Sequence, residues 1–434
     1  MTKKEYFDVL LVLKKIIANT KLENHLYAVG GCVRDSIMGY PIKDIDLVVD
    51  LPNGGIEFAN WLCQNHYLVY EPVTYPTYGT AMFKLLEFPE LELEIVETRK
   101  EQYKDKNSRN PDVVYGSLSE DCMRRDLTIN SLYYDITNEK IIDLVGGQED
   151  IKNHIIKTPA DPDIIYNDDP LRMMRCIRFS SRYGWEIDTC TALGIKRNVE
   201  RIKIITQERI TDEIIKSLMT ARYASYPFNL WVFYGLTKVI LPELYTGLSG
   251  NEDGYFSDIE RHLNRIQGEF RDKVIPELYF AAIFKDNFDV LKRMKLSNDF
   301  IRLTGKIISS LEWVEKVVSD KSVRKFGITF GEYTDICIGF ITAYIDAYYT
   351  DAAYHLWLKD FTDKVKELRE DGTMFDHTTV LPVDGNDIMK AFNLKPSKTV
   401  KLLLDQAWDF YYNNPKVSKE DLVSYLRSSN IICG

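Results

Sequence analysis

The sequence predicts an α+β protein whose strands fall in the first third of the chain. Two apolar runs of strand length, Leu26–Val29 and Ile45–Val49, are separated by a Gly-Gly turn and a short polar segment. From about residue 217 onward the pattern is helical and rich in aromatic residues. A chain of 434 residues is long enough for several domains.

Composition is that of a globular protein, with 45% hydrophobic and 28% charged residues. No apolar run reaches membrane-spanning length and the N-terminal residues do not resemble a signal peptide, so we expect a cytoplasmic protein. Seven unpatterned cysteines fit a reducing compartment and no zinc site. A net charge of −10 means that any nucleic-acid partner must bind a local basic patch.

Two carboxylates at the start of the second strand carry the first functional signal. Asp44 and Asp46 are two residues apart, so their side chains project to the same side of a strand and repel each other. A divalent cation removes that repulsion, and Mg²⁺ takes few carboxylates and completes its shell with phosphate oxygens. The alternative is a buried strand with a solvated acidic edge.

A glycine pair precedes these carboxylates. Gly30 and Gly31 allow backbone N–H groups to approach a phosphate closely, and Arg34 can add a charged donor. The pattern G-G-x-x-R-D followed by D-x-D therefore predicts a site for Mg²⁺ and a nucleoside triphosphate. Further along, Glu92 and Glu94 share one strand face, where a third carboxylate could bind the metal that activates an attacking hydroxyl. A solvated strand face explains either glutamate equally well.

This spacing resembles the nucleotidyltransferase superfamily of DNA polymerase beta, and specifically its class II branch of CCA-adding tRNA nucleotidyltransferases and bacterial poly(A) polymerases. The resemblance implies that Asp44 and Asp46 hold Mg²⁺ and that Glu94 is the better candidate for the third carboxylate. It also implies that the glycine pair, Arg34 and Asp35 bind the nucleotide.

Residues 99–120 are polar and broken by Pro111 and Gly116, which predicts a mobile loop. In the CCA-adding family the loop at this place permits the switch from C to A incorporation. Arg99, Tyr103 and Arg109 match its pattern. Without the resemblance the segment is a plain surface loop.

The segment MRRDLTINSLYY, residues 123–134, resembles the family motif R-R-D-F-T-x-N-A, with Leu127 in place of Phe. We expect Arg125 and Asp126 to pair at a helix start, where Asp126 accepts hydrogen bonds from ribose hydroxyls and an arginine meets phosphate. Asn130 is expected to bridge locally and to belong to the nucleotide site. A helix-capping pair would explain Asp126 but not both arginines.

A second site segment begins at Asp168-Asp169-Pro170, which predicts an acidic cap followed by a helix. Asp169 and Arg172 are three residues apart and are expected on one helix face, offering an acceptor and a planar donor fork. The resemblance implies that they read the base edges of C and A, with Asp168 as a same-charge departure from the E-D-x-x-R motif. The alternative is a surface salt bridge.

Arginines continue this helix, and Arg175 and Arg178 are assigned to nucleotide binding within a local positive patch. A later segment resembles the last family motif, E-R-x-x-x-E. Its Glu208 and Arg209 are expected to support the base-reading helix.

The resemblance implies a mixed-sheet nucleotidyltransferase head followed by an all-helical neck, body and tail. The expected boundaries are 1–150, 151–216, 217–375 and 376–434. The tail segment from residue 381 to 407 is expected to bind tRNA, with Asn386 capping a helix. None of the six histidines is followed by Asp, so we expect no phosphohydrolase activity of the His-Asp type, and His262 is expected to be a surface or satisfied core residue.

The implied reaction is addition of C, C and A from CTP and ATP to the 3′ end of tRNA, with Mg²⁺ as cofactor and the acceptor arm as the bound region. A bacterial poly(A) polymerase is the first alternative. Tyr78-Gly79-Thr80 resembles the H-G-T of CCA-adding enzymes, and the G-R-R-F segment of the polymerases is missing. A non-catalytic RNA-binding protein on the same scaffold is the second alternative.

Overall fold

A seven-stranded mixed sheet organises the first part of the chain, in the order β3-β4-β5-β2-β1-β8-β9. The computed structural model describes residues 1–102, 112–246, 248 and 250–428. The pairing of β2 with β5 is parallel and the other pairings in this sheet are antiparallel. The strands are β1 (Leu26–Val29), β2 (Ile45–Val49), β3 (Val73–Tyr75), β4 (Thr80–Phe83), β5 (Leu93–Glu97), β6 (Arg99–Gln102), β7 (Asp112–Tyr115), β8 (Leu132–Asp135), β9 (Lys140–Asp143), β10 (Ile155–Ile156) and β11 (Glu186–Ile187).

Helices cover this sheet and then follow it to the end of the first compact unit, Met1–Gly247. They are α1 (Lys3–Ile17), α2 (Gly31–Met38), α3 (Gly54–Gln64), α4 (Leu118–Met123), α5 (Gly147–Asn153), α6 (Pro162–Asp168), α7 (Leu171–Tyr183), α8 (Thr189–Asn198), α9 (Gln207–Thr220), α10 (Ser225–Tyr234) and α11 (Leu236–Ile240). The predicted α+β class, with a mixed-sheet head and a mainly helical remainder, is confirmed. The helical part contains one short parallel pairing, β10 with β11.

The two faces of the sheet are buried in different ways. Strand alternation places Leu47, Ala81 and Ile95 on one face, where they form a core with apolar residues of α1 and α3. On the opposite face Val48 and Tyr133 are fully buried in a smaller cluster that includes Cys122 of α4. This second cluster covers only part of its face, and the acidic residues of β2 and β5 lie beside it.

The second unit, Leu248–Gly434, is helical throughout the part that the structure describes. It contains α12 (Glu252–Phe270), α13 (Pro276–Phe284), α14 (Val290–Arg293), α15 (Asn298–Ser309), α16 (Asp320–Phe330), α17 (Thr334–Tyr348), α18 (Ala352–Glu370), α19 (Gly385–Phe392), α20 (Lys398–Asn413) and α21 (Lys419–Ser428). His262 is a core residue, packed against Phe340 and Tyr344, and burial lowers its pKa to about 3. Across the described ranges, no helix has the length and apolarity that a membrane span requires.

Two local expectations are corrected. The flanks of the predicted loop 99–120 are ordered, because β6 and β7 form an antiparallel pair and α4 follows them. Val113 and Val114 favour the strand conformation that β7 adopts. In the tail, Asp384 rather than Asn386 caps α19, because its carboxylate accepts the backbone N–H of Asp387 in a reciprocal capping box.

Candidate active site

Three carboxylates meet at the open part of the sheet. Asp46 on β2 lies directly opposite Glu94 on β5, and residues opposite each other on neighbouring strands project to the same face. Asp44 lies just before β2, and all three side chains are exposed. The structure therefore brings together the three acidic residues that the sequence assigned to the chemistry.

The electrostatics of Asp46 reflect this crowding. The surrounding protein partly desolvates the carboxylate of Asp46, although the side chain itself is still accessible to water. This desolvation and the repulsion from Glu94 and Asp44 raise the pKa of Asp46 to about 6, although the charge of Arg125 acts in the opposite direction. A carboxylate pair that repels in this way is relieved by a cation.

The acidic group fits a metal that takes only part of its ligands from the protein. Among the residues described, no three His, Cys, Asp or Glu side chains form a complete metal site. Asp44 and Asp46 could nevertheless hold Mg²⁺, because that ion is commonly bound by one or two carboxylates and completes its shell with substrate phosphates and water. The donor set, two hard oxygen ligands beside a glycine turn, fits this ion.

The glycine turn lies next to these carboxylates because Val29, the last residue of β1, pairs with Asp46. Gly30 follows at φ +76°, a left-handed conformation that a residue with a Cβ rarely adopts, and α2 begins at Gly31. A Cβ on Gly30 would lie 3.7 Å from Nη1 of Arg125. The turn thus borders both the carboxylates and a guanidinium, an arrangement suited to a phosphate.

Arg34 and Asp35 are buried rather than open to solvent. Arg34 donates from Nε to Asp35 Oδ1 at 2.8 Å and from Nη1 to Asn130 Oδ1. Its guanidinium also lies over the ring of Phe179 on α7, 5.1 Å from the ring centroid. The sequence assigned Arg34 to phosphate, whereas these contacts direct its donors to the protein and join α2 to α7.

Asp126 continues this network. Its Oδ1 accepts from Asn130 Nδ2 at 3.1 Å, and its Oδ2 accepts from Arg175 Nε at 2.8 Å. Burial alone would raise the pKa of Asp126, but the charge of Arg175 and the hydrogen bonds lower it to about 2. The carboxylate is therefore held ionised by a residue of α7.

The expected pairing of Arg125 with Asp126 at a helix start is not what the structure contains. Both residues follow the end of α4, and Arg125 instead donates to Asp121 Oδ2, 2.9 Å from Nη2. Asp121 is fully buried and also accepts from Arg124 and from the hydroxyl of Tyr133. Sequence reasoning missed the role of Asp121. The available signal was its spacing of three and four residues from the two arginines, which places ion-pair partners together on a helix.

The pair expected to read the base, Asp169 and Arg172, has a different backbone from the one predicted. Asp169 does not lie on a helix, because it has extended backbone between α6 and α7, as expected of a residue before proline. Its Oδ1 accepts the backbone N–H of Leu171, the first residue of α7, at 3.1 Å, although Pro170 rather than an acidic residue occupies the N-cap position. Arg172, in the first turn of α7, is 8% exposed and donates from Nη1 to the carbonyl of Ile165 at 3.3 Å.

Helix α9 supports this segment from the side. Arg209 donates to Asp169 Oδ2 at 2.7 Å, and Glu208 is exposed in the same turn. Arg178 of α7 pairs with the buried Glu213, which sequence reasoning did not single out. The final glutamate of the E-R-x-x-x-E pattern was the signal for it.

Of the residues assigned to the loop, Arg99 begins β6, and its backbone N–H donates to Asp121 Oδ1 at 3.3 Å. Tyr103 and Arg109 lie outside the described residues.

Comparison with known families and proteins agrees with this geometry. Residues 26–157 match the family "Poly A polymerase head domain", and residues 184–247 match "Probable RNA and SrmB- binding site of polymerase A". The tRNA nucleotidyltransferase cca1 of Schizosaccharomyces pombe is 25% identical over 98% of this chain and 95% of its own length. A CCA-adding enzyme of Limosilactobacillus reuteri is 30% identical over 67% of this chain and 68% of its own.

Among solved structures, the Bacillus stearothermophilus CCA-adding enzyme in complex with CTP has the same fold, with a TM-score of 0.71 at 22% identity over 98% of both chains. The fold and the site together define a nucleotidyltransferase. Within that class, the chain belongs to the family of tRNA nucleotidyltransferases, or CCA-adding enzymes, which shares its head domain with poly(A) polymerases.

Proposed function

We propose that this protein adds C, C and A from CTP and ATP to the 3′ end of tRNA without a nucleic-acid template. The 3′-hydroxyl of the RNA attacks the α-phosphate of the nucleotide, a phosphodiester bond forms, and the bond to pyrophosphate breaks. The observation that carries the proposal is the pair Asp46–Glu94, in register beside the Gly30 turn. Family membership supports the same reaction.

Each part of the site has a proposed task. The glycine turn and Arg125 bind the triphosphate, and Asp44 and Asp46 are the residues that would hold Mg²⁺. When bound there, Mg²⁺ would lower the pKa of the attacking hydroxyl and neutralise charge on the leaving pyrophosphate. Catalysis by the protein is mainly positioning and electrostatic stabilisation, as is usual for phosphoryl transfer.

Choice of the base is assigned to the segment at the start of α7. Asp169 offers carboxylate acceptors and Arg172 offers guanidinium donors, which suit the Watson–Crick edges of C and A. The contact of Arg209 with Asp169 supports a positioning role for Arg209. We place Asp126 and Asn130 at the ribose and assign Arg34, Asp35, Arg175 and Arg178 to holding α2 and α7 in register.

We also retain the four proposed regions, with the neck at 151–216 for base recognition and the tail at 376–434 for tRNA. The working location is the cytoplasm, which the free thiols of the described cysteines support.

The second candidate function is poly(A) tailing, because the matched head domain is also that of poly(A) polymerases. The experiment that separates them incubates the protein with tRNA lacking CCA, using CTP and ATP singly and together. Ordered addition of three nucleotides is expected, whereas long A-tails on unstructured RNA would favour the polymerase.

The catalytic assignment is tested by Asp46→Asn. This change keeps the size of the side chain but removes the charge, so incorporation should fall by at least about 1,000-fold, given that electrostatic stabilisation dominates this chemistry. Binding of tRNA, measured by filter retention, should persist. Incorporation at the unchanged rate would remove Asp46 from the chemistry and leave the RNA-binding alternative in place.

A further inference from the structure

The face of the sheet that carries the carboxylates continues outward as an exposed apolar surface. Along one row of paired residues, Asp46 is opposite Glu94, Glu94 is opposite Met82, and Met82 is opposite Val73 on the edge strand β3. Side chains in such a row project to the same face. Val73 is 48% exposed, so the face is open from the carboxylates to the sheet edge.

Two tyrosines extend this surface. Tyr75 lies two residues beyond Val73 on β3, hence on the same face, and is 45% exposed. Tyr78 follows in the tight turn between β3 and β4 and is 58% exposed. Neither ring makes a ring contact or a side-chain hydrogen bond within the part of the chain that the structure describes. We call Val73, Tyr75, Tyr78 and Met82 the shelf.

We propose that the shelf binds the 3′-terminal nucleotides of the RNA substrate by stacking their bases on Tyr75 and Tyr78. The inference rests on the proposed function and names a binding surface within it. Neighbouring strands lie about 4.8 Å apart, so β3, three strands away in the sheet, is about 14 Å from β2, which carries Asp46. Stacked bases rise about 3.4 Å per nucleotide, so an RNA whose 3′-hydroxyl reaches Asp46 covers this distance with about its last four bases.

The chemistry of the shelf suits this ligand in particular. Each addition moves a different base onto the shelf, so a surface that holds the RNA at every step must not read base edges. Aromatic stacking is tolerant of sequence because every base has a π-face. The four shelf side chains are uncharged, so they neither repel the phosphates nor compete with Asp46 and Glu94 for the cation.

A direct test uses a tRNA acceptor minihelix that ends before CCA and carries 5-iodocytidine at one of its last four nucleotides, each position in turn. Irradiation of its complex with the full-length protein should crosslink the base to Tyr75 or Tyr78, as mapped by mass spectrometry. The crosslink should disappear in the double variant Tyr75→Ala/Tyr78→Ala and persist with Phe at both positions. This readout does not depend on incorporation.

The kinetic test compares the same variants. Loss of stacking on one or two bases should raise KM for tRNA by about 5- to 100-fold, while KM for CTP stays within twofold. The Phe variant should restore the wild-type KM, because it retains the ring. Tyr67→Ala is the matched control, since Tyr67 is 38% exposed but stacks on Trp61 of α3, on the other side of the sheet. Its KM for tRNA should not change.

The outcomes separate the shelf from the proposed function. If the wild-type protein extends no RNA, the proposed function fails, and the crosslink alone then decides the shelf. If it extends tRNA but the Ala variant has an unchanged KM and the crosslinks map elsewhere, the shelf is wrong and the function stands. A raised KM for CTP alone would also overturn the proposal. So would a sedimentation result in which the wild-type protein is a dimer and the Ala variant is a monomer, because the shelf would then be a contact between two copies of the chain.

Discussion

At the scale of single residues, the site depends on carboxylates whose ionisation is set by their neighbours in opposite directions. Asp46 is partly desolvated and crowded by other acids, and together these raise its pKa to about 6. Asp126 is at least as enclosed, yet its pKa is lowered to about 2 because Arg175 lies against it. The first carboxylate has the environment that the proposed cation site requires, whereas the second is already paired with an arginine of the protein.

The pairing of Asp126 has a consequence for stability. A carboxylate whose folded pKa lies below its value in the unfolded chain, about 3.9, stabilises the fold above that pH and loses this contribution as the pH falls toward 2. Asp126→Asn removes the charge but keeps the shape. We expect it to lower the free energy of unfolding by about 1–3 kcal/mol at pH 7.

Urea unfolding at pH 7 and at pH 3 measures this effect. The difference between the wild-type protein and Asp126→Asn should shrink at pH 3, because the wild-type carboxylate is then protonated in the unfolded chain. A difference of the same size at both pH values would show that charge is not its origin.

At the scale of elements, sequence reasoning recovered the strands that carry Asp46 and Glu94, because apolar runs and alternation determine them locally. It failed where the conformation or partner of a residue depends on a backbone restriction or on a residue outside the local pattern. Asp169 was placed on a helix, but Pro170 forces extended backbone before it. Arg125 was paired with its neighbour in sequence, although the buried Asp121 one helical turn earlier accepts its hydrogen bonds. The pairing of Arg34 with Asn130 joins segments far apart in sequence and had no local signal.

The hydrogen bond from Arg209 of α9 to Asp169, which is proposed to read the base, gives a prediction at this scale. Arg209→Ala should change the free energy of unfolding by less than about 1 kcal/mol, because the pair with Asp169 is partly exposed. It should nevertheless weaken selection of CTP and ATP over UTP and GTP by about 10-fold or more, since Asp169 is no longer held in place.

Single-nucleotide incorporation with each of the four triphosphates measures this selectivity. Arg197→Ala is a matched control, because Arg197 forms a comparable exposed ion pair with Asp163 at 2.9 Å. Selectivity that is unchanged in Arg209→Ala, or equally lost in Arg197→Ala, would argue against a positioning role.

At the scale of the whole molecule, the chain consists of two compact units, and every described residue of the candidate site lies in the first, Met1–Gly247. This unit has its own core, formed by the sheet with α1 and α3. The second unit has separate cores in residues 313–368 and 381–426. The division predicts that nucleotide chemistry and the proposed tRNA contacts of the tail reside in different units.

A fragment ending at residue 247 tests this division. We expect it to unfold cooperatively in urea and to bind CTP with nearly the affinity of the full chain in calorimetry. Its KM for tRNA should rise by about 100-fold or more, because it lacks the second set of RNA contacts. A fragment that extends tRNA as efficiently as the full chain would remove the tail from RNA binding.

The parallel pairing of β2 with β5 also bears on how the enzyme matures. Parallel neighbours require a crossover, and here α3, β3 and β4 lie in the chain between Asp46 and Glu94. Because such long-range closure is slow, we expect Asp46 and Glu94 to come together late in folding. The proposed site therefore stays incomplete until the sheet has closed.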